Sequence, residues 1–201
     1  MNVLNINDLR FQHCGPVNLQ IHAAEIIGLS GESGTGKSLL LRALADLDAH
    51  QGEISLDQVR QQDICAHQWR HKVALLSADT HWWFDTVGEH FEKMPTDYLQ
   101  KLGFEQGISG WQVSRLSSGE KQRLGLLRLL VNEPAVLLLD EPTANLDQKN
   151  TLLFEEFVMS YIREKSACVV WVSHDIDQLK RVCQRSYTMC DGVLTREEGK
   201  L

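Results

Sequence analysis

The chain has 201 residues, enough for one domain with a sizeable core, and its 27 acidic against 20 basic side chains give a formal net charge of -7. That balance argues against general affinity for nucleic-acid backbones, and no apolar run approaches the roughly 18 residues that a bilayer span needs. The five cysteines are odd in number and free of any CxxC pair, so neither a disulfide framework nor a zinc site is expected.

In chain order, β-branched and apolar runs bounded by turn residues predict strands at "NVLNI", "VNLQI", "EIIGLS", "GEISL", "KVALL", "AVLLLD", "ACVVWVS" and "RSYTM". Helical patterns lie between them at 37–47, 119–131, 149–164 and 176–183. Strand and helix alternate, which predicts an α/β fold with a mainly parallel sheet. The closely spaced strands before residue 60 predict an antiparallel β edge near the N-terminus. Residues 86–115 differ, with the helical patches "VGEHFEKM" and "DYLQKLGF" and no strong strand, so a small helical subdomain is expected there. The opening "MNVLNINDLR" lacks the charge and apolar order of a secretory signal, and the expectation is a soluble chain that stays inside the cell.

The stretch "GESGTGKS" satisfies G-x-x-x-x-G-K-[ST] between a predicted buried strand and a predicted helix. Glycines let successive backbone N–H groups turn inward around phosphate oxygens, and the helix N-terminus adds partial positive charge. Lys37 then reaches the β- and γ-phosphates while the Ser38 hydroxyl ligates Mg²⁺. The candidate phosphate-binding residues are Gly31, Glu32, Ser33, Gly34, Thr35, Gly36, Lys37, Ser38 and Leu39. In "AVLLLDE" a strand buried on both faces ends in Asp140, placed to hold the metal, and Glu141, placed to deprotonate a water. In "LSSGEKQR", Ser117 and Glu120 have the spacing of a capping box at a helix start. Lys121, Arg123 and Arg128 follow, expected on a solvated helix face.

Taken together and in order, "GESGTGKS", "LSSGEKQR", "LLLDEPTANLD" and "VSHD" resemble the nucleotide-binding subunit of ATP-binding cassette (ABC) transporters over nearly the whole chain. The resemblance implies one nucleotide-binding domain over 1–201, a phosphate-loop NTPase core at 1–85 and 116–201 with the helical subdomain at 86–115. It implies ATP with Mg²⁺ as cofactors and ATP hydrolysis with Lys37, Glu141 and His174 as catalytic residues, His174 contacting the γ-phosphate. It further implies a head-to-tail dimer in which Ser117 and Gly119 contact the nucleotide of the opposite copy, and Asp147 lies on the loop crossing the seam. Phe11 is the expected adenine-stacking residue, with His13 as the other candidate.

The implied partners are a second copy and a separately encoded transmembrane permease, with no nucleic acid. The implied location is the cytoplasm, at the inner face of the cell membrane through that permease alone. The compact chain resembles export or assembly subunits, including the iron-export and lipoprotein-release groups. Two departures stand out. Ala78 falls where the family carries a glutamine that touches Mg²⁺ and the attacking water, predicting weakened metal coordination and slow turnover. Ser118 replaces the usual second glycine of the signature. In the loop between, "HWWF" places Trp82 and Trp83 where the family faces its permease, and one of them is the expected anchor.

Overall fold

The computed structural model describes residues 2–105 and 107–197; Met1, Gln106 and 198–201, which include both ends of the expected 1–201 domain, lie outside the described residues. Among the described residues ten strands form two sheets, accompanied by six α-helices. Strands β1 (Leu4–Phe11), β2 (Cys14–Ile21), β4 (Gln51–Leu56) and β5 (Val59–Arg60) make an antiparallel sheet in the order β2-β1-β4-β5. Strands β3 (Ile26–Ser30), β6 (Val73–Leu76), β7 (Val136–Asp140), β8 (Cys168–Val172), β9 (Arg185–Cys190) and β10 (Val193–Arg196) make the second, ordered β10-β9-β3-β8-β7-β6. It is parallel except for β10, which folds back on β9 through Asp191 and Gly192, both at positive φ.

The parallel strands read as continuous apolar runs because both faces are covered. Alternate residues separate into two cores: Val136, Leu138, Val170 and Val172 face one, while Leu137, Leu139, Val169 and Trp171 face the other. In the first core helix α1 (Lys37–Leu44) packs between the two sheets, with Leu40, Leu41 and Leu44 meeting Leu4, Leu9 and Ile21. The second core lies under α4 (Ser118–Leu130), α5 (Gln148–Lys165) and α6 (Ile176–Val182).

Three local differences from the sequence pattern have physical reasons. The helix expected over 37–47 stops at Leu44, because Asp46 turns left-handed at φ 57 and Leu47 N–H donates to Arg42 O across the end. A short helix α2 (Ala66–Lys72) precedes β6, and its Trp69 Nε1–H donates to Leu44 O at 2.8 Å. Among the described residues of 86–115, α3 (Thr96–Lys101) is the one α-helix; the patch at 87–94 holds a single 3₁₀ turn, Gly88–His90. Pro95 biases Met94 away from helix, and Phe91 is already extended.

Candidate functional site: a phosphate-binding cleft at the strand ends

Parallel register brings three chemical segments to one level. Leu29 of β3 pairs with Val172 of β8, which pairs with Asp140 of β7. The ladder runs one step further, since Ser173 N–H donates to Leu29 O and Glu141 N–H to Val172 O, each at 3.2 Å. The glycine loop, Glu141 and His174 therefore leave the sheet side by side at its carboxyl edge, where open α/β sheets bind ligands.

Two glycines of the loop are required by close approach as well as by φ. A Cβ on Gly31 (φ 137) would stand 2.3 Å from Met189 O, and one on Gly36 (φ 108) would stand 2.7 Å from Cys14 Sγ. The loop is thus wedged against β9 and β2, and its backbone faces the cleft. Lys37 is buried, and its Nζ donates to Gly31 O and Glu32 O, each at 2.8 Å, folding the side chain over its own loop. Burial lowers the Lys37 pKa, while Glu141 and Asp140 oppose that shift.

Glu141 stands at φ 47, a left-handed backbone that a non-glycine residue adopts at a cost on the order of 1–3 kcal/mol. Its Oε1 is buried without a hydrogen-bond partner, although His174 Nε2 stands 3.3 Å away. Those two findings agree once angle is considered: the pair is close enough to interact electrostatically and is misaligned for a hydrogen bond. Burial raises the Glu141 pKa; the neighbouring His174, through its imidazole and its backbone N–H, and Lys37 oppose this, and Asp140 adds to it. The His174 side chain is 54% exposed against 21% for Glu141, so the histidine covers the carboxylate from the solvent side.

A cleft of about 210 Å³ joins Ser33, Gly34, Gly36, Lys37, Ser38 and Leu39 with Asp140, Glu141 and His174. These residues fit a magnesium triphosphate. Ser38 is exposed and Asp140 borders the same cleft, giving a hydroxyl and a carboxylate as the hard oxygen donors that Mg²⁺ takes. Glu141 borders the same cleft, and its buried Oε1 has no hydrogen-bond partner within the chain.

Other expectations fare differently. Phe11 is corrected: at 2% exposure its ring is part of the core between the sheets, and the exposed side chains beside it are Gln12 and His13. An apolar ring on an inward position of β1 is worth more buried than open to a purine. Ser117 caps α4 in a full capping box, its Oγ accepting from Glu120 N–H at 3.2 Å while Glu120 Oε2 accepts from Ser117 N–H at 2.8 Å. Ser117 and Gly119 do not line the cleft; Gly119 packs on the 144–146 loop, where an added Cβ would meet Asn145 O at 3.0 Å. Asp147 caps α5 by accepting from Asn150 N–H at 2.8 Å. Ala78 and Asp79 also stand outside the cleft.

The expected solvated face of α4 is absent at two of its three basic positions. Arg123 is buried over the Phe104 ring and donates to Leu102 O at 2.7 Å. Arg128 lies 4.8 Å from the Trp82 centroid and 4.6 Å from that of Trp83, and it donates to His81 O. Sequence reasoning also missed His90, whose Nε2 accepts the Trp83 and Phe84 N–H groups at 3.1 Å each, with Thr86 O at 3.0 Å from Nδ1. Only the neutral ring protonated on Nδ1 satisfies all three contacts. No periodicity marks such a residue. Trp83 and Phe84 are held outward as a result, Trp83 at 63% exposure.

A glycine cradle with its lysine, an acidic pair ending the neighbouring buried strand and a histidine ending the next define a phosphate-loop nucleotide-binding protein. The family model described as "ABC transporter" matches residues 14–144. The chain belongs to the ABC transporter family, as one of its ATP-binding ATPase units. It is 31% identical over 176 residues to the "Probable iron export ATP-binding protein FetA" of Escherichia coli (strain K12), covering 81% of this chain and 78% of that one. It is 31% identical over 209 residues to the "Methionine import ATP-binding protein MetN" of Erwinia pyrifoliae, covering 95% of this chain but 64% of that relative's length. In fold it is similar to a dimeric structure of the ATP-binding cassette MJ0796 in a post-hydrolysis state bound to ADP and Pi, with TM-score 0.84, 23% identity and coverage of 98% and 99%.

Proposed function

We propose that this chain hydrolyses ATP as one half of a head-to-tail dimer and so energises a separately encoded membrane permease. The observation that carries the reading is the separation within one chain: the cleft holds Lys37, Asp140, Glu141 and His174, while Ser117 and Gly119 of the signature lie outside it. A second copy is the natural source of those two residues. The dimeric state of MJ0796 supports this.

In the proposed reaction the loop N–H groups and the N-terminus of α1 bind the phosphates, and Lys37 exchanges its contacts with Gly31 O and Glu32 O for phosphate oxygens. Bound Mg²⁺, held by Ser38 and Asp140, supplies charge neutralisation on the phosphates. The Glu141 carboxylate, which borders the cleft, accepts a hydrogen bond from the attacking water and takes its proton; His174, beside it at 3.3 Å, contacts the γ-phosphate. The second copy's Ser117 and Gly119 close the far side, and release of products lets the halves part. The exposed Trp83, backed by Arg128 and His90, anchors the permease, which confines this chain to the cytoplasmic face of the membrane. Among the described residues no helix is long and apolar enough to cross a membrane, which accords with a separate membrane partner.

The test is steady-state turnover with a parallel nucleotide-binding titration. Glu141→Gln is expected to lower kcat by at least about 100-fold with affinity retained, and Lys37→Ala to lose nucleotide affinity. Wild-type turnover in Glu141→Gln contradicts the proposal.

A further inference from the structure

The loop that carries Glu141 and the loop that carries His174 are joined behind the cleft by buried polar side chains that no phosphate-site argument uses. Glu155 of α5 and Gln178 of α6 are each 1% exposed. Arg181 meets Glu155 in a two-pronged contact, Nε to Oε2 at 2.8 Å and Nη2 to Oε1 at 2.7 Å. Gln178 Nε2 donates to Glu155 Oε1 at 2.8 Å, and its Oε1 faces Trp171 Nε1 at 3.3 Å. A carboxylate only accepts and an indole N–H only donates, so the Gln178 amide has one permitted orientation, fixed at both ends.

That rigid amide meets Thr143, two residues after Glu141: Gln178 Nε2 stands 2.9 Å and Gln178 Oε1 3.1 Å from Thr143 Oγ1. Gln178 is equally tied to the histidine side. Its backbone N–H donates to Asp175 Oδ1 at 3.0 Å, and Asp175 N–H donates to Ser173 Oγ at 3.1 Å, which brackets His174. The Thr143–Gln178 contact thus joins two loops whose functional atoms, Glu141 Oε1 and His174 Nε2, stand 3.3 Å apart. Burying a carboxylate and an amide here is costly unless every group is paired, and the pairing is complete only with Thr143 in place.

We propose that Thr143 and Gln178 are positioning residues whose side-chain contact, made rigid by buried Glu155, holds the Glu141 loop at its working distance from His174. The inference rests on the reading of Glu141 and His174 as reacting groups. Thr143 and Gln178 line not the phosphate cleft but the cavity beside it, which Glu141 and His174 also border.

Thr143→Val keeps the volume and removes the hydroxyl, Thr143→Ser keeps the hydroxyl, and Thr143→Ala is the second truncation should the valine variant not fold. Each is purified as the full chain, and Mg-ATP turnover and nucleotide affinity are measured beside wild type and Glu141→Gln. The expected result is a fall in kcat of about tenfold or more in Thr143→Val, with KM and affinity within about twofold and kcat restored to within about twofold in Thr143→Ser. A general loosening of the fold would instead lower the melting temperature without this split. If Thr143→Val turns over like wild type, or Thr143→Ser fails like Thr143→Val, while Glu141→Gln is inactive, the positioning role is overturned and the proposed hydrolysis stands. If Glu141→Gln turns over like wild type, the underlying reading falls and takes this inference with it.

Discussion

The phosphate cleft and the aromatic loop that follows β6 are built by opposite means. The cleft is a product of sheet register: once β3, β8 and β7 pair in parallel, Gly31, His174 and Glu141 must emerge together. The loop has no ladder along 77–85, and an isolated bridge of Thr86 with Gln112 holds its far end. Its shape comes from side chains donated by other parts of the chain. Gln122 Nε2 of α4 donates to Ser77 O at 3.1 Å, Arg128 spans both tryptophans, and His90 accepts two successive backbone N–H groups. The cleft's segments are placed by strand pairing, whereas the loop is set by three side chains and is vulnerable to the loss of each.

That contrast can be broken at either end. The largest effect is expected from Gly36→Ala, which demands φ 108 of an alanine and drives its Cβ to 2.7 Å from Cys14 Sγ. Left-handed strain alone costs on the order of 1 kcal/mol or more, and either the Cys14 side chain or the loop must shift to relieve the clash. Nucleotide affinity, measured by titration, is predicted to fall by at least about tenfold; retained affinity would show that the cradle is not held by its contact with β2.

Next in size, Arg128→Ala removes the cation held between Trp82 and Trp83, an arrangement worth about 1–2 kcal/mol when partly desolvated. The prediction is a lower unfolding free energy in urea and altered tryptophan emission, with nucleotide affinity unchanged. An equal loss of affinity would mean that loop and cleft are not separable. The smallest effect is expected from Ala78→Gln, which places an amide in the loop after β6 where the family resemblance implies a metal-contacting glutamine. Basal turnover should rise a few-fold; an unchanged or lower rate argues against the expectation that Ala78 slows hydrolysis.

How much of this was legible in the sequence follows from the same contrast. "GESGTGKS", "LLLDE" and "VSHD" could be read because each joins a buried strand to a turn, and the spacing within each carries its geometry. The capping box of Ser117 and Glu120 was equally visible, since it is complete within four residues. The hairpin of β9 and β10 had its signal too, in the Asp191-Gly192 pair, but no strand was expected beyond it. Phe11 was misread because facing is set by register with β2 and β4, and the bulges of β1 disturb simple alternation. Arg128, His90 and Gln178 were invisible for a further reason. Their partners are set by tertiary packing: the tryptophans, the 83–84 backbone and a carboxylate on another helix.

The central claim is that one copy of the chain carries only half of a working site. It is tested most directly by the molecular mass of Glu141→Gln in solution, by light scattering, with and without saturating Mg-ATP. The account predicts a monomer that becomes a dimer when nucleotide is added and reverts when it is removed. A protein that binds the nucleotide fully and stays a monomer, alone and beside the proposed permease, contradicts it.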